Sequence, residues 1–331
     1  DRSYSDELVN LLETKPRAPN IPLEIGEKNF QIYADIASSA QKLLEDLLFL
    51  IFKHAHELTN ENKFLFSGGV AMNSSAVSKA SKLEFIKELN IPPSPGDSGA
   101  SIGAAYYGLI KENKTKSTIP QKNSILKDNL FPGQSKTDEG FFSLVFNQIA
   151  DEKSSLEKVA ELIASNEIIA TCYSNIETGP RALGHRSLIC NAHNADLIKK
   201  LSTEIKKRNL FRPTAPVILK SNAEKYFYLE KSLMNCYFHM ASIATPKKEL
   251  SDSIKGVIHA DNTSRVQICE ENQLLGKILK KLEKNNIFLI ANTSFNISSD
   301  PMVYDKEDAF LATERMNIKY LLTENGLFVK K

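Results

Sequence analysis

A chain of 331 residues, 25% charged and 42% hydrophobic, has the composition of a soluble globular protein and is too long for one ordinary core, so two domains are expected. The formal net charge of +2 implies no nucleic-acid partner. The most apolar segment, residues 43–52, is short and broken by Glu45 and Asp46, too little for a membrane span. Cys172, Cys190, Cys236 and Cys269 lie far apart with no C-x-x-C pair; they read as reduced, mostly buried thiols, and a cytoplasmic location is expected.

Between Lys28 and about Leu58, apolar residues recur at helical spacing and predict one or two long amphipathic helices. His54 and His56, two residues apart, point to different faces and make a poor metal pair. Next, a short strand at Lys63–Phe66 runs into Ser67-Gly68-Gly69 and a helix start at Val70–Ala76. There, backbone N–H groups can receive a nucleotide phosphate, although the Lys-Ser/Thr of a P-loop is absent. A proline-rich turn, residues 91–100, precedes a small-residue helix from Ser101 to Leu109. Asp97 sits at the junction, where it suits a helix N-cap or a carboxylate ligand for a divalent metal, and composition does not choose. The polar stretch from Lys111 to about Glu139 reads as an interdomain connection.

In the second half, a helix over 153–164 precedes an apolar strand at 168–173, which stops at the loop Glu177-Thr178-Gly179-Pro180-Arg181-Ala182-Leu183-Gly184-His185-Arg186-Ser187. Two arginines and a serine between glycines outline an anion-binding loop, because guanidinium captures phosphate or carboxylate bidentately and glycine lets a ligand approach the backbone. A turn whose arginines are solvated or paired with Glu177 is the alternative. A helix at about 195–208, strands at 212–219, 240–244 and 265–269, and a helix at 274–284 follow. The buried strand 287–291 then delivers Asn292-Thr293-Ser294-Phe295-Asn296 at its C-terminal end, a usual place for ligand groups in an α/β sheet. His185 and His259 receive no catalytic role, since a lone histidine beside a turn is more often structural.

The segments Ser67–Asn73, Pro95–Ala100, Gly179–Ser187, Ile205–Pro216, His259–Gln267 and Asn292–Asn296, in that order, resemble the O-carbamoyltransferase family of nodulation-factor and antibiotic biosynthesis. The resemblance implies an α/β protein: the second lobe of an actin-like, sugar-kinase-like domain at 1–111, a linker at 112–140, and a YrdC-like carbamoyl-adenylating domain at 141–331. It implies that ATP and carbamoyl phosphate form carbamoyl adenylate, whose carbamoyl group passes to a hydroxyl of a small-molecule or sugar acceptor. By motif, Arg181, Lys206, Arg212 and Arg265 would surround the two polyanions as catalytic cations. Ser294 and Asn296, with Arg186 and Ser187, would bind co-substrate, Gly68, Gly69 and Asn73 would lie near nucleotide, and Asp97 would hold a divalent metal, iron-like or Mg.

The family's His-x-x-x-His metal pair does not occur in this sequence. A partner chain supplying a first lobe and those histidines is expected, with a chain cut from a longer precursor, or lost transfer activity, as the alternatives. Two other functions remain open at this stage: a non-catalytic nucleotide-binding regulatory subunit and a sugar-kinase-like phosphotransferase.

Overall fold

The computed structural model describes residues 5–16, 23, 25–112, 131, 145–209, 211–212, 214–297 and 300–331. Apart from residues 112 and 131, the predicted linker at 112–140 lies outside the described residues. The chain divides into a small unit, residues 1–40, and a large one, residues 41–331. The small unit contains helix α1 (Asp6–Leu11), capped by Ser5, whose side chain accepts from the Leu8 N–H at 3.3 Å. Its Tyr33 hydroxyl donates to the Lys15 carbonyl at 3.2 Å.

One continuous helix, α2 (Phe30–Thr59), forms where one or two were expected, and it buries Glu45, Leu48 and Phe52. Beyond it, β1 (Lys63–Leu65) pairs in parallel with β2 (Glu88–Asn90). Helix α3 (Ser74–Ala80) lies between them and α4 (Ala100–Glu112) follows. Asn73 caps α3 by accepting from the Ala76 N–H at 3.0 Å, and its side-chain amide donates to Gln41 at 2.8 Å.

The remaining strands are β3 (Phe146–Asp151), β4 (Ile169–Cys172), β5 (Arg186–Asn191), β6 (Ala215–Leu219), β7 (Phe227–Tyr228), β8 (Ser242–Pro246), β9 (Ser264–Cys269), β10 (Leu289–Ser294), β11 (Tyr320–Thr323) and β12 (Gly326–Lys330). They form one ten-stranded mixed sheet in the order β3-β12-β11-β4-β5-β10-β6-β9-β8-β7. Only β4–β11 and β6–β9 among its pairs are parallel. The period-2 pleat divides the apolar side chains between two layers. Ile169, Ile189, Val217 and Ile290 pack with helices Glu152–Ala164 and Leu274–Leu282. Ala170, Leu188, Cys190, Ile218 and Ala291 belong to the larger core, which also takes in Phe52, Val77, Leu89 and Ile91. The β1–β2 region is thus fused to the sheet, and Ser232 Oγ donating to the Ser81 carbonyl at 2.8 Å adds a polar tie. All four cysteines are buried free thiols. No helix among the described residues is long and apolar enough to cross a membrane.

Candidate functional site

Two segments from different parts of the chain meet at the Gly-Pro-Arg loop. Gly179 has φ +97, and a Cβ there would overlap the Pro93 carbonyl, so glycine is required both by the backbone and by the neighbour. Alongside, Thr178 Oγ1 and Ser94 Oγ share a hydrogen bond of 2.9 Å. Gly184, with φ +108, abuts Leu275 with the same consequence. Glu177 closes the loop from inside: one carboxylate oxygen accepts from the Leu183 N–H at 3.0 Å and the Arg186 N–H at 3.1 Å. The predicted alternative, a Glu177–arginine pair, is therefore replaced by a carboxylate serving backbone donors.

The two arginines of this loop have opposite surroundings. Arg186 is fully buried on β5. Its five guanidinium N–H groups donate to main-chain oxygens of Tyr304 (twice), Tyr173, His185 and Ser174 at 2.9–3.2 Å. The co-substrate role expected of Arg186 is corrected on this geometry, because no donor is left for a ligand. Ser187 is also buried, its hydroxyl accepting from the Gly184 N–H at 3.0 Å, and it lines neither arginine cavity. The residues that read as loop are the first of a strand paired on both sides, by β4 and β10.

Arg181, at the loop tip, faces a cavity of about 160 Å³ together with Arg208, Arg212 and Arg265. Thr293 and Ser294 at the end of β10 complete its wall. One Arg181 Nη donates to the Met72 carbonyl at 3.2 Å, whereas its buried Nε has no hydrogen-bond partner. Arg208 donates to Thr293 Oγ1 at 3.1 Å. Among the described residues, Arg181, Arg208 and Arg212 have no carboxylate ion pair within 4.0 Å. Burial, followed by the proximity of Arg212, lowers Arg181 from its ordinary value and takes Arg208 to about 10. Arg265 is also lowered to about 10, by burial and then by Arg181, Arg208 and Arg212. Four guanidinium groups that repel one another in a partly desolvated pocket gain most from a multiply charged oxyanion.

Position is set from behind. Asn292 donates to the Ala182 carbonyl at 2.7 Å and to Gln267 Oε1 at 2.9 Å, which ties the loop next to Arg181 to β10 and β9. Lys206 follows a π-helical turn, Leu201–Ile205, that interrupts the expected helix 195–208. It is fully buried, and Nζ reaches the Ser294 carbonyl (2.6 Å), Ser294 Oγ (3.2 Å), Asn296 Oδ1 (2.8 Å) and the Asn296 carbonyl. The expected residues Lys206, Ser294 and Asn296 do come together, but Lys206 holds the other two and does not line the cavity. Burial, then Arg208 and Arg212, push Lys206 down to about 7.

Sequence reasoning passed over Arg208, although it lies between Lys206 and Arg212 in the segment Ile205–Pro216. The π-turn and the positive φ of Lys207, +50, break helical phase there, so that Lys206 points inward and Arg208 to the cavity. Gly68 and Gly69 line neither of the two cavities that the arginines share. The Gly68 N–H and the Ser67 hydroxyl both donate to the Pro95 carbonyl, at 2.6 and 3.0 Å. The end of this turn does reach the site: Met72 and Asn73 line a second cavity, of about 360 Å³, which shares Arg181 and Arg265 with the first.

Asp97 is exposed at the start of a short 3-10 turn, Asp97–Gly99, and its carboxylate makes no capping bond. No group of three or more His, Cys, Asp or Glu side chains able to hold a metal occurs among the described residues. Asp97 thus presents a single exposed carboxylate, one ligand of the set the resemblance implies, the histidines being expected from outside this chain.

Fold and site together define an α/β protein with a cationic cavity at a sheet end. The family description "Carbamoyltransferase C-terminus" matches residues 160–330, more than half of the chain, and "Carbamoyltransferase N-terminus" matches residues 13–106. This chain belongs to the carbamoyltransferase family. Among its relatives, an uncharacterized protein of Synechocystis sp. is 26% identical over 97% of this chain and 55% of its own length. Nodulation protein NolNO of Sinorhizobium fredii is 27% identical over 86% of this chain and 42% of its own. The chain thus spans about half the length of the curated relatives it matches. A solved full-length HypF in its phosphate- and nucleotide-bound form has 20% identity and a TM-score of 0.40, covering 53% of this chain and 25% of that one.

Proposed function

We propose that this chain carries the adenylating half of an O-carbamoyltransferase: it brings carbamoyl phosphate and ATP together, makes carbamoyl adenylate, and supplies it for transfer to a hydroxyl of a small-molecule or sugar acceptor. The observation that carries the reading is the convergence of Arg181, Arg208, Arg212 and Arg265 on one cavity in a member of this family. Both co-substrates are polyanions that repel each other, and fixed cations are needed to bring their phosphates into contact.

Release of both phosphate and pyrophosphate consumes one water. Water attack frees phosphate from the carbamoyl group, and a carbamate oxygen then bonds to the α-phosphorus as pyrophosphate leaves. Negative charge accumulates on phosphoryl oxygens in both steps, where preorganised guanidinium groups act most strongly. Ser294 and Thr293 add neutral hydrogen-bonding groups at the strand end, and Lys206 acts as a positioning residue for Ser294 and Asn296. The adenylate phosphate is the leaving group when the acceptor hydroxyl attacks the carbonyl.

The test is pyrophosphate release by the full chain with ATP, with and without carbamoyl phosphate. Release that requires carbamoyl phosphate is expected. Release independent of it, or ATP binding with no release under any addition of carbamoyl phosphate, would sink the proposal and favour a nucleotide-binding role without chemistry.

A further inference from the structure

The larger cavity holds a histidine whose tautomer is fixed by its neighbours. Asp261 Oδ1 accepts from the Thr263 N–H at 3.0 Å and from the Thr263 hydroxyl at 2.6 Å. Partial burial raises the Asp261 carboxyl, but the bonds from Thr263 outweigh it and keep the group below the usual carboxylate range. Asp261 is therefore an ionised acceptor that takes the hydroxyl proton of Thr263. That hydroxyl presents only lone pairs to His259 Nδ1, 2.9 Å away. Nδ1 must then carry the imidazole proton, and Nε2 a bare lone pair. A second proton on the ring is disfavoured by burial and then by Arg265, with Asp261 opposing them, and the group lies below its ordinary value.

Nε2 is buried and has no hydrogen-bond partner. A buried acceptor left without a donor is costly, about 1–3 kcal/mol, and a hydrogen-bond donor on a ligand in the cavity removes that cost. His259 lines the cavity of about 360 Å³ and shares that wall with Arg181 and Arg265, the arginines common to both cavities.

We infer that His259 is a specificity-determining residue that accepts a hydrogen bond from an N–H of the ligand whose phosphate sits on Arg181 and Arg265. This rests on the function proposed above, and it identifies the feature read at this wall as the carbamoyl amide. Carbamoyl phosphate and acetyl phosphate share a phosphate and a carbonyl and are nearly equal in shape, but one ends in NH₂ and the other in CH₃. A lone pair fixed by Asp261 and Thr263 rewards the first and is left unsatisfied by the second, which is the arrangement that gives strong discrimination between isosteres.

The experiment is calorimetric titration of the full chain with carbamoyl phosphate, acetyl phosphate and inorganic phosphate, for the wild type and for His259→Ala, His259→Gln and Thr263→Val, with thermal melts showing that each variant is folded. His259→Ala is expected to weaken carbamoyl phosphate roughly 10- to 100-fold while acetyl phosphate and inorganic phosphate stay within about twofold. His259→Gln, which keeps an acceptor, recovers part of the loss, and Thr263→Val gives an intermediate one. Equal weakening of all three ligands, or an unchanged preference for carbamoyl phosphate in His259→Ala, overturns the inference while leaving the functional reading intact. A wild type that binds carbamoyl phosphate no better than inorganic phosphate overturns that reading as well.

Discussion

Arg181 in the loop and Arg186 five residues on, at the start of β5, show what decides the use of an arginine. At the base, Arg186 is enclosed by carbonyl oxygens that match its five donors, so its charge is spent on holding Tyr173, Ser174, His185 and Tyr304 in place. At the tip, Arg181 keeps a buried donor without a partner and faces other guanidinium groups. A cation surrounded by acceptors is architecture, whereas a cation surrounded by cations is a site waiting for an anion.

The base of the loop should be the more sensitive to substitution. Arg186→Met leaves several buried carbonyls without donors at about 1–3 kcal/mol each, so urea denaturation should show a loss on the order of 3–5 kcal/mol. A loss below about 1 kcal/mol would mean that Arg186 does not brace the loop. At the tip the sign differs: Arg181→Ala should abolish carbamoyl phosphate-dependent pyrophosphate release, yet leave the unfolding free energy within about 1 kcal/mol of the wild type or raise it, because repulsion with Arg212 is relieved. Instability comparable to that of Arg186→Met would erase the distinction between the two residues.

Lys206 combines both environments, with four oxygens around Nζ and Arg208 and Arg212 close enough to lower it. Its folded value, about 7, lies below the ordinary 10.5. Between those pH values the unfolded chain binds a proton that the folded chain does not, so this group's contribution to stability grows as pH rises through the window. The difference in unfolding free energy between wild type and Lys206→Met should therefore shift in favour of the wild type from pH 7 to 10. A flat difference would mean that the oxygens around Nζ keep Lys206 charged.

Much of the sheet was legible as periodic apolar runs. Strands expected at 168–173, 265–269 and 287–291 form at Ile169–Cys172, Ser264–Cys269 and Leu289–Ser294, because β-branched and apolar residues buried on both faces carry a strong local signal. β5 was missed since its first residues, Arg186 and Ser187, are polar, and only pairing with β4 and β10 makes them strand. Arg208 escaped notice because a π-turn changes helical phase without any mark in the residue types. The fixed tautomer of His259 was equally invisible, as it depends on Thr263 and Asp261 folding back onto the ring.

By itself the sequence determined the α/β class, the family motifs and the chemical character of the site, since these follow from apolar periodicity and from which residue types are present. Tertiary structure alone decided which cations face the cavity. Whether an arginine is neutralised by its surroundings or left for a ligand depends on the oxygens within about 3 Å of its nitrogens, and some of those oxygens come from segments more than a hundred residues away, Tyr304 against Arg186 and Met72 against Arg181.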